Sequence, residues 1–258
     1  MWLPSVSYIG VLPASGRPLA YAALDGELNL LALGQGDLAE VLAFCGGQKQ
    51  ALVAIASPRS PAKGLLQDPA YRGTLGAPLR PGRWQQGRVA EFLLRQHNLR
   101  MLPTPSDESA SPSWMRQGFR LYRELERMGY QPYPTEDAPR QTLEVYPHAA
   151  YAALLGHLPF HKNTLEGRIQ RQLLLRIQGL DLPDPMRIFE EFTRHRILQG
   201  ILPTEGLHTP EELDALMAAF TAYRAGTSPQ EVTLIGDPSE GQIVLPVAEL
   251  KSRYGMTG

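Results

Sequence analysis

Lys162, Arg168 and Arg171 are the residues whose types and spacing point most directly to chemistry. Arg168 and Arg171 are three apart, so they share a face of the predicted helix TLEGRIQRQLLLRIQG. They fall in its N-terminal half, where the helix dipole also favours anions. Contact with phosphate is one reading; salt bridges to Glu144 or Glu166 are the other. A second basic cluster lies between Ser57 and Leu102, with eight Lys or Arg against two acidic residues. Arg80, Arg83 and Arg88 are its centre, and their side chains are expected to be exposed. Trp84, Tyr71 and Phe92 stand among them as candidate platforms for bases. Such a segment could follow a nucleic-acid backbone through its phosphates, or be a solvated or internally paired surface.

Two carboxylates stand out. Glu144 follows Leu143 in the apolar strand QTLEVYP, so it is half-buried and needs a partner. Arg168, Arg171 or Lys162 could supply one. Asp214 lies one residue from the apolar face of a long helix opened by Thr209, with Glu212 at the capping-box position. Glu211, three residues earlier, shares its side. An ordinary acidic helix start explains both as well as a ligand set does. The histidines form no triad-like pattern with a serine, and no pair has metal-ligand spacing. The single cysteine, Cys45, permits no internal disulfide and reads as a small buried residue. It points to the cytoplasm.

These residues must be held by a fold. The chain has 258 residues, enough for one large domain with a sizeable insertion. A 43% apolar and 20% charged composition excludes a disordered chain. The net charge of −1 means that any nucleic-acid affinity must come from a local patch. No segment approaches the ~20 apolar residues of a membrane helix, so no membrane partner is expected. SYIGVL, PLAYAALD and ELNLLALG predict an antiparallel meander with a tight turn at Asp25-Gly26. DLAEVLAFC predicts a helix, and ALVAIAS a strand covered on both faces. Residues 88–96 suggest a helix and 99–102 a strand. SWMRQGFRLYRELERMG predicts an amphipathic helix with Ser113 as cap and Gly129 as stop. After QTLEVYP come HAAYAALLG, TLEGRIQRQLLLRIQG, PMRIFEEFTRHRILQG and TPEELDALMAAFTAYRAG as helices. EVTLIGDPSEGQIVLP closes as a hairpin. This α/β order is that of a ribonuclease H-like mixed sheet with helices on both faces, among several possible α/β folds.

The ordered series EVYPHAAYAALLG, Lys162, EGRIQRQLLL and ELDALMAAFTAY resembles a family of predicted nucleases with a ribonuclease H-like fold. The family is catalogued as domain of unknown function 429 (DUF429), and the resemblance extends over most of the chain. It implies two-metal phosphodiester cleavage, with carboxylates holding two Mg²⁺ about 4 Å apart. Glu144 and Asp214 match two of its acidic positions and would be the catalytic metal ligands. The other two hold Leu12, in Gly10-Val11-Leu12-Pro13, and Ala56, before Ser57-Pro58. Neither side chain can coordinate Mg²⁺, so the resemblance implies a degenerate site with weak Mg²⁺ binding at most.

The sequence therefore predicts a single ribonuclease H-like domain over 1–258, with an Arg/Pro/Gly-rich insertion at 58–112. Three readings stay open: a divalent-metal phosphodiesterase, a relative that binds nucleic acid or nucleotide without cutting it, and a protein-interaction domain with a relic cleft. Lys162, Arg168, Arg171, Arg80, Arg83 and Arg88 are the expected phosphate contacts.

Overall fold

The computed structural model describes residues 6–76 and 82–256. Its elements in chain order begin with β1 (Ser7–Leu12), β2 (Leu19–Leu24), β3 (Leu30–Gly36), α1 (Leu38–Gly46) and β4 (Ala51–Ile55). There follow α2 (Pro69–Thr74), α3 (Val89–Gln96), α4 (Ser113–Arg127), β5 (Gln131–Pro132) and β6 (Arg140–Val145). The last part holds α5 (Pro147–Leu155), α6 (Leu165–Ile177), α7 (Ile188–Glu191), α8 (Arg194–Leu198), α9 (Pro210–Thr227), β7 (Thr233–Ile235) and β8 (Ile243–Leu245).

The strands form one mixed sheet in the order β3-β2-β1-β4-β6-β8-β7, with β5 beside β6. β1, β2 and β3 are the expected antiparallel meander. β1, β4, β6 and β8 run parallel, and β7 returns antiparallel as the closing hairpin. This is the mixed α/β architecture expected, and it is compatible with a ribonuclease H-like fold.

Side chains alternate across the sheet. Ile9, Val11, Val53 and Ile55 pack with Val41 and Cys45 of α1 and with Leu121 and Leu125 of α4. Tyr8, Ala22, Ala54 and Leu143 pack on the other side with α5, α6 and α9. Both faces are covered, which is why β4 is buried along its whole length. Helix α9 lies directly on β1. A Cβ at Gly10 would stand 2.1 Å from Ala215 O and 2.4 Å from Ala219 N, so only glycine fits beneath the helix. On the opposite side α4 is seated equally closely on the end of β4: a Cβ at Gly118 would stand 2.0 Å from Ser57 Oγ.

Three local expectations need correction. The stretch 185–200 is not one helix: α7 and α8 are separated by extended backbone at Phe192, and Thr193 starts the second with its own cap. Residues 99–102 form no strand. Ser113 does not cap α4; Pro112 precedes the helix, and the Ser113 hydroxyl instead meets Ser15 Oγ at 2.6 Å.

Candidate functional site: a cleft at the strand ends

The C-terminal ends of β1, β4 and β6 open on a cleft of about 880 Å³. Open α/β sheets characteristically place ligands outside the carboxyl ends of parallel strands. Leu12 ends β1, and Ala56 follows β4, donating its backbone N–H to Val11 O at 2.9 Å. Their side chains line the cleft together with Glu144 from β6 and Asp214 from α9. The four positions singled out in the sequence thus converge on one site.

Glu144 is turned to an internal partner. Both its oxygens pair with the Arg88 guanidinium, one of them at 2.8 Å from Nη1, and Oε2 also accepts from Arg59 N at 3.1 Å. Arg88 is wholly buried, and its Nε donates to Glu91 Oε1 at 3.2 Å. Glu91 accepts in turn from Thr104 N at 2.8 Å, while Glu240 accepts from Lys63 N at 2.8 Å and Val89 N at 3.0 Å. The expectation that Arg88 is an exposed phosphate contact is therefore corrected. Its side chain joins α3 to the sheet by a buried two-pronged ion pair. Trp84 and Phe92 are likewise packed on each other at 4.9 Å, and Tyr71 gives its hydroxyl to Asp237 at 2.5 Å. Packing and internal bonding occupy these rings. Arg80 and the side chain of Arg83 lie outside the described residues.

Asp214 is buried, and its Oδ2 meets Lys162 Nζ at 2.7 Å. Burial raises its carboxyl above the ordinary range, although Lys162 pulls the other way. Lys162 comes from the turn before α6, and it lines the cleft beside His148, His161 and Arg171. Burial, aided by Arg171, Lys162 and His161, pushes the His148 imidazole down to about 4. His148 is thus uncharged near neutral pH.

The two helical arginines do different things. Arg168 is spent on the turn before α9, donating to His208 O at 2.9 Å and Leu207 O at 2.7 Å. It is not a cleft residue. Arg171 is 1% exposed, stacks its guanidinium 5.2 Å from the centre of Tyr151, and donates Nη1 to Phe160 O and Gly167 O. Its Nε has no hydrogen-bond partner among the described residues. Among the described residues no carboxylate reaches it within salt-bridge distance.

The donor set does not fit a fixed pair of Mg²⁺. Such ions demand near-octahedral oxygen coordination from several carboxylates and waters. Three carboxylates line the cleft, Glu144, Glu211 and Asp214, and Glu144 and Asp214 each already hold a cation of the chain. Leu12 and Ala56 offer no donor atoms. Among the described residues no group of three or more His, Cys, Asp or Glu is placed to hold a metal ion.

Sequence reasoning missed Arg17, Trp114, Glu91 and Glu240. Helical spacing sets Trp114 in line with Gly118, Leu121 and Leu125 on the buried side of α4, so its place in the cleft has no local signal. Glu240 sat in a stretch read as turn, and nothing local marks it as an acceptor of three backbone N–H groups.

A mixed sheet with a cleft across its parallel strand ends defines the class of this molecule. The chain belongs to the family described as "Protein of unknown function (DUF429)", which matches residues 37–240. The match takes in Ala56, Glu144, Lys162 and Asp214, whereas Leu12 precedes it. None of the curated proteins compared with the chain matches it. Among the described residues no helix is long and apolar enough to cross a membrane.

Proposed function

We propose that this chain binds nucleic acid or a nucleotide through phosphate, in the cleft at the strand ends, without two-metal hydrolysis. One observation carries the reading. The surviving acids are tied to cations of the chain itself, Glu144 to Arg88 and Asp214 to Lys162, while Arg171 on the same wall has no anionic partner among the described residues. Glu144 and Asp214 then act as anchors for basic side chains rather than as catalytic ligands. Lys162 and Arg171 are the phosphate contacts. Arg80 and Arg83 remain candidates for contacts farther along a backbone. The cytoplasm is the compartment this reading suits, with Cys45 free and buried.

The test is fluorescence anisotropy of labelled single-stranded and duplex oligonucleotides at two salt concentrations, with and without a chelator. Phosphate contact predicts binding that falls steeply with salt, shows little sequence preference and ignores the chelator. Lys162→Glu should weaken it strongly. Cleavage that needs Mg²⁺ or Mn²⁺ would reverse the reading and restore the phosphodiesterase. The protein-interaction reading has one observation in its favour: Phe189, Ile197, Leu198 and Ile201 expose apolar side chains around α7 and α8. It takes the lead if no oligonucleotide binds even at low salt.

A further inference from the structure

We propose that the unit recognised in the cleft is a single nucleoside monophosphate, its ring against the Leu12–Ala56 floor and Trp114, its phosphate at Arg171 and Lys162. This rests on the reading above and deepens it. Four observations support it.

The first is the floor. Leu12 and Ala56 are partly buried at the ends of adjacent strands, and Val145 and Met101 extend the same apolar surface. A leucine and an alanine where the strands open make a seat for a flat, weakly polar ring, which carboxylates would not. The second is Trp114, which lines the cleft and pairs with no other ring among the described residues. A partly exposed indole with no ring or cation stacked on it among the described residues can serve as a stacking platform, and stacking tolerates any base because every base has a π face.

The third is Arg171. A guanidinium with 1% exposure and no carboxylate within salt-bridge distance among the described residues is costly to hold charged. An incoming anion supplies the missing partner, with Lys162 Nζ nearby on the same wall. The cleft is lined by Arg17, Lys162 and Arg171 against Glu144, Glu211 and Asp214, with Glu144 already bound to Arg88 and Asp214 to Lys162. The fourth is size: about 880 Å³ lies within the range of cavities that house one small ligand.

Isothermal calorimetry on the full chain tests this with three probes: adenosine monophosphate, adenosine and inorganic phosphate. The monophosphate should bind at least about tenfold more tightly than either fragment. Trp114→Ala should weaken it about tenfold, the scale of one stacking contact, and leave inorganic phosphate unchanged. Trp114→Phe should restore much of the loss. Lys162→Met should weaken the monophosphate and inorganic phosphate together. Circular dichroism and thermal midpoints establish that each variant is folded, and the partly exposed positions of Trp114 and Lys162 favour this.

Equal affinity for the three probes overturns the inference, as does a Trp114→Ala variant that binds the monophosphate like wild type. If oligonucleotides bind in the anisotropy experiment and the monophosphate does not, this inference fails alone. If neither binds, both readings fail together.

Discussion

Arg88 and Glu144 stand 56 positions apart in the chain and meet as a two-pronged ion pair in the interior, with 0% and 3% of their side chains exposed. The pair binds α3 to the end of β6, next to the cleft. Glu144 and Glu91 together raise the guanidinium's pKa above its ordinary value, against the opposing pull of burial. Buried charges of this kind stabilise only while the partners stay matched.

Breaking the pair from one side should be expensive. Glu144→Gln leaves a buried guanidinium with Glu91 as its remaining carboxylate, and Arg88→Met leaves two buried carboxylates, Glu144 and Glu91. Each should lower unfolding stability by about 3–5 kcal/mol, read from urea midpoints. The double variant Arg88→Met with Glu144→Gln should lose less than the sum of the two. Additive losses would show that the two side chains act independently.

Titration with Mg²⁺ or Mn²⁺ should show weak binding at most. Two carboxylates held by Arg88 and Lys162 cannot offset the dehydration and mutual repulsion of two divalent ions. Two ions bound at micromolar affinity, seen by calorimetry, would show that other acids complete the site.

Much of the frame was readable in the sequence because its signals are local. The continuous apolar run of β4 announced a strand covered on both faces. Thr209 and Glu212 announced the start of α9, and both halves of that capping box are formed. The convergence of Leu12, Ala56, Glu144 and Asp214 is what the family resemblance implied, since it aligns all four with acidic positions of one site. What could not be read was the fate of each charge. Arg88, inside a Pro- and Gly-rich basic stretch, has the neighbours of a solvated residue. Its burial depends on Glu144, Glu91 and the Glu240 carbonyl, which only tertiary structure brings together. Arg168 and Arg171 share a helical face by spacing, yet Arg168 is bonded to the turn before α9 and Arg171 lies at the cleft wall. Helical periodicity specifies a direction, not what lies there. The break between α7 and α8 was hidden for a similar reason: Thr193 caps the second helix, which breaks a pattern that otherwise reads through.

His148 gives a prediction in pH. Its folded value of about 4 lies below the ordinary histidine value near 6.5, so the folded state prefers the neutral ring. Its stabilising contribution is complete above about pH 6.5 and is lost as pH falls towards 4. On linkage grounds the loss is on the order of 2–3 kcal/mol, after allowance for partial exposure. Asp214, with its pKa raised, works the other way, since its protonation favours the fold as pH drops. The difference between wild type and His148→Gln isolates the imidazole. Wild type should lose thermal stability faster than the variant between pH 7 and pH 4.5, and the His148 ring signals in NMR should titrate well below 6.5. A midpoint near 6.5 would show an open, solvated ring.

The contact between α4 and the end of β4 is tested at Gly118. Gly118→Ala places a methyl carbon against Ser57 Oγ and should destabilise by about 1–3 kcal/mol, the usual range for overpacking. Ser57→Gly in the same chain removes the obstacle and should recover most of the loss, measured by thermal or urea midpoints. If Gly118→Ala alone is neutral, α4 shifts freely, and the Trp114 it carries is not held in place against the cleft.

The contact at Gly10 makes the molecule a rigid linkage. Helix α9 rests backbone to backbone on β1, and its 18 residues carry Asp214 close to the point of rest. Any side chain at position 10 must lift the helix or bow the strand, and either movement opens the jaw between Asp214 and the ends of β1 and β4. One absent methyl group therefore sets the gauge of the cleft. Substitution there would alter what the cleft can grip without touching a residue that does the gripping.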